Sequence, residues 1–89
     1  MAEIPKAVVE RLLKDSAGIR ISGEATRLTA ELAEDVIRYL GGEGAVLAKH
    51  AKRSTLMPED LMVASRGLPR HIEEFLESRK TKQQNAQRT

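Results

Sequence analysis

Residues 48–60 read AKHAKRSTLMPED and concentrate the side chains best suited to hold an anion. Lys49, His50, Lys52 and Arg53 fall within five positions, the hydroxyls of Ser54 and Thr55 follow at once, and Pro58, Glu59 and Asp60 restart the chain. Cations beside hydroxyl donors suit phosphate oxygens, which are held by charge and by hydrogen bonds. Taken alone, the 49–53 run reads as the solvated face of an ordinary helix-loop-helix turn. A second stretch, GIRIS at 18–22, also combines a cation with a hydroxyl, and the two together favour a polyanion-facing pair of loops.

No catalytic constellation competes with that reading. Glu34 and Asp35, like Glu73 and Glu74, are sequence neighbours and so point different ways around a helix, which gives no acid–base pair. Ser54 has basic neighbours but no base-and-orienter arrangement. His50 has only His71 as a companion and there is no cysteine, so a zinc site is a poor reading and a helix-end or interface role is preferred. Phosphate-loop and dinucleotide fingerprints are missing. Tyr39 and Phe75 are the only aromatic residues, too few for a platform that stacks single-stranded bases. The expectation is a protein that is no enzyme and has no cofactor, metal or small-molecule substrate.

Composition bounds the rest. The chain has 89 residues, no cysteine and a formal net charge of +2. One domain, a reducing compartment and a buried surface built from Ile, Leu, Val, Ala and Met follow. MAEIPKAVVERLLKD carries charges on both sides of a short apolar run, which fits neither a secretory leader nor a membrane span, so a cytoplasmic protein is expected. Charge is unevenly placed: residues 1–68 hold ten Lys/Arg and ten Asp/Glu, residues 69–89 five against three, and Arg79, Lys80, Lys82 and Arg88 face no acid beyond Ser78. A basic tail on a balanced body suits contact with polyanions or simple solvation.

The elements that must position these residues are helical. Ile4, Val8, Val9, Leu12 and Leu13 share one face, predicting a first helix from about Pro5 to Asp15 that Gly18 caps, with Ile19–Ile21 extended beyond it. Ser22 is placed as an N-cap with Glu24 at the positive helix end. From Gly23 to about Lys52 there is no proline, and Ala25, Leu28, Leu32, Val36, Leu40, Leu47 and Ala51 keep a helical stripe. Such a helix would be about 42 Å long, against a radius of gyration of about 12 Å for a compact chain of this size. A chain with that spine is expected to dimerise. The GGEG stretch at 41–44 argues against continuity, because three interior glycines cost roughly 3 kcal/mol. Propensity alone favours a break there; a close approach of a second backbone is the other reading. Pro58 starts a third helix, Gly67 ends it, and Pro69 begins another whose apolar face is Leu68, Ile72, Phe75 and Leu76. The polar residues 81–89 are expected to be a disordered tail.

A short helix, a loop, a very long helix, a loop and a short helix make the layout of the histone fold. IPKAVVERLLKDSAGIRIS, LAKHAKRST and PEDLMVASR resemble archaeal histones across about residues 3–68, with no gap in register. The resemblance implies an all-α histone fold over residues 1–68 in a handshake dimer, with residues 69–80 an added C-terminal amphipathic helix. It also implies that 41–44 stays helical. It pairs Arg53 with Asp60 as a structural brace, a fork-on-carboxylate geometry. It places Arg20, Ser22, Ser54 and Thr55 against DNA, with Arg11 and Lys14 adding to them, and it puts Leu47 and His50 beside Asp60 where dimers join. Contacts of this kind hold phosphates and read no bases.

Two departures from the family pattern matter. Many relatives carry lysine where Ser54 stands, and many end near Leu68, whereas this chain continues into a helix that is similar to the extension of face-to-face variants. Leu68, Ile72, Phe75 and Leu76 are therefore expected at an oligomer interface, in a homodimer or homotetramer. The function expected is sequence-nonspecific binding of double-stranded DNA, compacting or bridging it in the nucleoid. The alternative is a histone-fold protein-interaction subunit of a transcription or chromosome complex, which the balanced 1–68 core and Ser54 favour.

Overall fold

The computed structural model describes the backbone of residues 3–87 and the side chains of residues 3–80. It contains α1 (Lys6–Ala17), α2 (Gly23–His50), α3 (Pro58–Ala64), a single 3-10 turn (Ser65–Gly67) and α4 (Leu68–Gln87). Among the described residues there is no strand. The short, long, short order of α1 to α3 is that of the histone fold, with α4 added after it.

Local chemistry sets the helix ends. Gly18 closes α1 with φ 68°, its N–H donating to the Lys14 carbonyl at 2.9 Å, a left-handed cap that glycine adopts without a Cβ penalty. Ser22 opens α2: its Oγ accepts the Ala25 N–H at 3.0 Å and its carbonyl accepts the Thr26 N–H at 3.1 Å. At the far end the Arg53 N–H reaches the Ala48 carbonyl and the Lys52 N–H reaches the Lys49 carbonyl, both at 2.9 Å. That is a Schellman closure with Lys52 in the left-handed position at φ 59°. It turns the chain so that Arg53 leaves the helix end directly into the loop.

α2 runs unbroken through GGEG for 28 residues, so the helix survives the propensity cost that favours a break. Gly44 has a packing reason. A Cβ there would stand 2.7 Å from Leu56 Cδ1 and 3.5 Å from Leu61 Cδ2, so the loop and α3 lie where a side chain would otherwise be. Gly41 and Gly42 have open space around them within the chain.

The chain divides within α2 into two compact units, one up to Ile37 and the other from Arg38 on. In the first, Val9, Thr26, Ala30 and Glu34 are buried, and the Glu3 N–H donates to Glu34 Oε2 at 2.7 Å, tying the segment before α1 to α2. Val8, Leu12, Ile19, Leu28 and Ile37 are exposed. In the second, Ala48, Asp60 and Ala64 are buried, while Val46, Leu56, Met57, Met62, Val63 and Leu76 are exposed. Among the described residues the buried apolar set is thus one valine and three alanines, and no large side chain is fully enclosed.

No loop separates α3 from α4. The 3-10 turn ends at Gly67 and α4 begins at Leu68, as the residue types suggest, but with no loop between them, because Ser65 keeps right-handed helical dihedrals (φ −63°, ψ −17°). Pro69 falls in the first turn of α4, where its missing N–H costs nothing. Gly67 also serves packing: a Cβ on it would run into the Tyr39 hydroxyl. The Tyr39 ring stacks on His71 with centroids 4.2 Å apart and planes at 28°, joining α2 to α4. The helical backbone of α4 extends to Gln87, beyond the Lys80 boundary read from the sequence. The side chains from residue 81 on, and residues 88–89, lie outside the described residues.

Candidate nucleic-acid interface

The loop after α2 is built around one ion pair. Arg53 Nη1 donates to Asp60 Oδ2 at 2.8 Å and Nη2 to Oδ1 at 2.7 Å, two parallel bonds of the fork-on-carboxylate type. Asp60 accepts a third bond from the Met57 N–H at 2.9 Å and so also caps the first turn of α3. Its side chain is 3% exposed, that of Arg53 31%. Hydrogen bonds from Arg53, then from Met57, lower the Asp60 carboxyl from its ordinary 3.8 to about 2. The same pair pushes the Arg53 guanidinium further up, with Glu59 Oε1 at 3.6 Å adding to it.

Residues 53–60 are therefore closed into a small ring by a charge pair. Ser54 and Thr55 lie inside that ring and are exposed. They line an open depression with Ala45, Ala48, Lys49, Arg53 and Leu56, so that two cations and two hydroxyls share it with three apolar residues. Such a site can accept phosphate oxygens from a loop whose backbone is already fixed. The guanidinium itself is engaged with Asp60, so Ser54, Thr55 and Lys49 are the groups left facing outward.

The remaining DNA-contact candidates read from the sequence, Arg11, Lys14, Arg20 and Ser22, belong to the unit that ends at Ile37. Arg11 and Lys14 are exposed on α1, where they line a shallow depression with Ala7, Glu10 and Asp15. Lys14 Nζ lies 3.1 Å from Glu10 Oε1, an exposed pair one helical turn apart. Arg20 is exposed in the segment between α1 and α2, and the Ser22 hydroxyl oxygen is occupied as the α2 cap. Among the oligomer candidates, Leu47, Leu68, Ile72 and Phe75 are half-buried, while His50 and Leu76 are exposed.

Three features had no place in the sequence reading. The Met57 amide bond to Asp60 could have been found from the acid three residues after a helix start, the pattern of a capping box. The left-handed Lys52 has no such signal, because glycine or asparagine is the usual residue there. His71, weighed in sequence only as a metal companion for His50, stacks on Tyr39 instead.

A chain of short, long and short helices with a charge-braced loop before the third is of the histone-fold class. The family model described as histone-like transcription factor (CBF/NF-Y) and archaeal histone matches residues 2–64, and the chain belongs to that family. It is 40% identical over 67 residues to probable archaeal histone 3 of Methanocaldococcus jannaschii, a match covering 75% of this chain and 100% of the relative. It is 34% identical over 64 residues to a subunit of archaeal histone HAN1 from Thermococcus zilligii, covering 72% of this chain and 96% of that protein. The residues of α4 lie beyond the part matched by the family model.

Proposed function

We propose that this protein binds double-stranded DNA without reading its sequence and acts as a chromatin protein of the nucleoid, as a handshake dimer that α4 assembles into a tetramer. The observation that carries the reading is the Arg53–Asp60 ring, which presents Ser54 and Thr55 on a fixed backbone beside Lys49. Arg20 and Ser22 of the partner's first loop complete each contact, and Arg11 and Lys14 extend it along α1. Cations with hydroxyls hold phosphate oxygens, contacts that carry no sequence information directly. The dimer is supported by the exposed apolar residues of both units, which a chain of this size has no second layer of its own to cover. Tetramer formation is supported by the apolar face of α4, where Leu76 is exposed and Leu68, Ile72 and Phe75 are only half-buried within the chain.

Arg20→Ala tests the interface. The variant keeps the mass of the parent oligomer and loses about 0.9 from the slope of log affinity against log salt for each phosphate it no longer neutralises. Unchanged affinity and slope would take Arg20 out of the site. A heteromeric protein-interaction role is the second reading, favoured by the equal acid and base counts of residues 1–68. Light scattering separates the two, since a lone chain that aggregates fits the heteromer and a stable homo-oligomer fits the histone.

A further inference from the structure

Among the described residues, Lys52 is the only residue other than glycine with a positive φ, 59°. The end of α2 requires that conformation. The Lys52 N–H donates to the Lys49 carbonyl and the Arg53 N–H to the Ala48 carbonyl, both at 2.9 Å, and closing both bonds puts residue 52 in the left-handed region. A Cβ is disfavoured there, and glycine, or asparagine with its short polar side chain, is the residue that relieves the strain. Gly18 gives the ordinary solution at the end of α1, where φ is 68°. Lysine has neither advantage, and a strained residue held in place by its surroundings points to a use for its side chain.

The fold makes no such use of it. Lys52 is exposed and has no ion pair or side-chain hydrogen bond among the described residues. The negative end of the α2 dipole already has Lys49 and His50 in its last turn. Charge is what the position adds. Residues 49–60 hold three cations, Lys49, Lys52 and Arg53, against Glu59 and Asp60. Arg53 is engaged by both acids, 2.7 Å from Asp60 Oδ1 and 3.6 Å from Glu59 Oε1. With His50 neutral, the stretch is therefore positive only while Lys52 is present; without it the charges cancel.

We propose that Lys52 is a phosphate-binding residue of the loop interface, kept in a strained backbone conformation because its ammonium neutralises duplex phosphate. The inference rests on the duplex-binding function above and deepens it by a contact residue that is not among those lining the depression of Lys49, Ser54 and Thr55. The left-handed turn sets where the charge stands, at the residue where α2 has ended and the braced loop begins. Two backbone hydrogen bonds hold that residue on the helix side and the Arg53–Asp60 pair holds the next one. A cation on a backbone so fixed has only its own side chain to order when it meets a phosphate. Lysine binds phosphate as a point charge, so the contact needs no fork geometry and reads no base.

Lys52→Gly in the full chain is expected to move stability and binding in opposite directions. Thermal unfolding followed by circular dichroism should give a raised midpoint, because glycine removes the Cβ from left-handed backbone. Affinity for a random-sequence duplex, measured across salt concentrations, should fall, with the log–log slope flattened by about 0.9 for each phosphate no longer neutralised. Lys52→Asn, which also suits the left-handed region but keeps a side chain, should flatten the slope equally. Lys52→Arg restores the charge and should recover the parent slope. If the glycine and asparagine variants have the parent slope while Arg20→Ala flattens it, the inference is overturned and the duplex-binding function stands. If Lys52→Arg flattens the slope as glycine does, the residue acts through structure and the inference is again overturned. A lowered midpoint for Lys52→Gly would overturn it too, since the lysine would then serve the fold. If the parent protein shows no salt-dependent binding, the proposed function itself falls, and this contact with it.

Discussion

Tyr39 and Gly67 fit as hydroxyl and absent side chain: the phenol oxygen occupies the space a Cβ on residue 67 would need. The contact fixes the passage from α3 into α4 against α2, and the Tyr39–His71 stack holds the first turn of α4 beside it. A Cβ on residue 67 would therefore have to displace the Tyr39 hydroxyl at the passage from α3 into α4.

Gly67→Ala is expected to destabilise the protein by about 1–3 kcal/mol, the usual range for overpacking, in spite of the gain of up to about 1 kcal/mol that alanine brings to a helical position. Tyr39→Phe should reverse the sign. With the hydroxyl gone, the nearest remaining ring atom is Cζ at 3.4 Å, an ordinary contact. Denaturant unfolding of the two single variants and the double variant reads this directly, and additive losses would show that Tyr39 is not what Gly67 makes room for.

The pH dependence of stability follows from Asp60. Its folded-state pKa is depressed from 3.8 to about 2, so the unfolded chain takes up the proton first as pH falls. The contribution of the brace is complete above pH 3.8 and is lost as pH drops towards 2. Asp60→Asn should be less stable than the parent at neutral pH, and the difference should shrink over that acid window. Parallel pH profiles for the two proteins would mean that the ion pair contributes nothing to folding.

Leu76 tests assembly. It is 41% exposed, the most open residue of the α4 apolar face, so a glutamate there is tolerated by the single chain. Leu76→Glu is expected to halve the mass measured by light scattering, from tetramer to dimer, with helicity retained. A mass identical to the parent's would remove α4 from the dimer–dimer contact.

Much of the fold was legible because the sequence carries unambiguous punctuation. Gly18, Ser22 and Pro58 mark element boundaries by capping chemistry that depends on residue type, and the structure uses all three. Where tertiary contact decides, the signals mislead. GGEG looks like a break, yet Gly44 is needed for the approach of Leu56 and Leu61, a fact of packing that propensity does not contain. Gly67 does mark the boundary before α4, but its packing against Tyr39 was not legible in the residue type. Of the loop's own construction, the Arg53–Asp60 pair was legible through the family resemblance, and the structure forms it. Its support was less so: the third bond to Asp60 comes from a backbone amide, and the left-handed turn at Lys52 falls on a residue that does not advertise one.

The central claim is phosphate-driven, sequence-independent duplex binding. Its most direct test is the affinity of the purified protein for two duplexes of equal length and unrelated sequence across a salt series. Between about 50 mM and about 200 mM salt, affinity should fall by about 10³–10⁵-fold if a dimer or tetramer makes about 6–10 phosphate contacts, with the two duplexes on one line. Binding that ignores salt, or that separates the two sequences by more than the effect of salt, would contradict it.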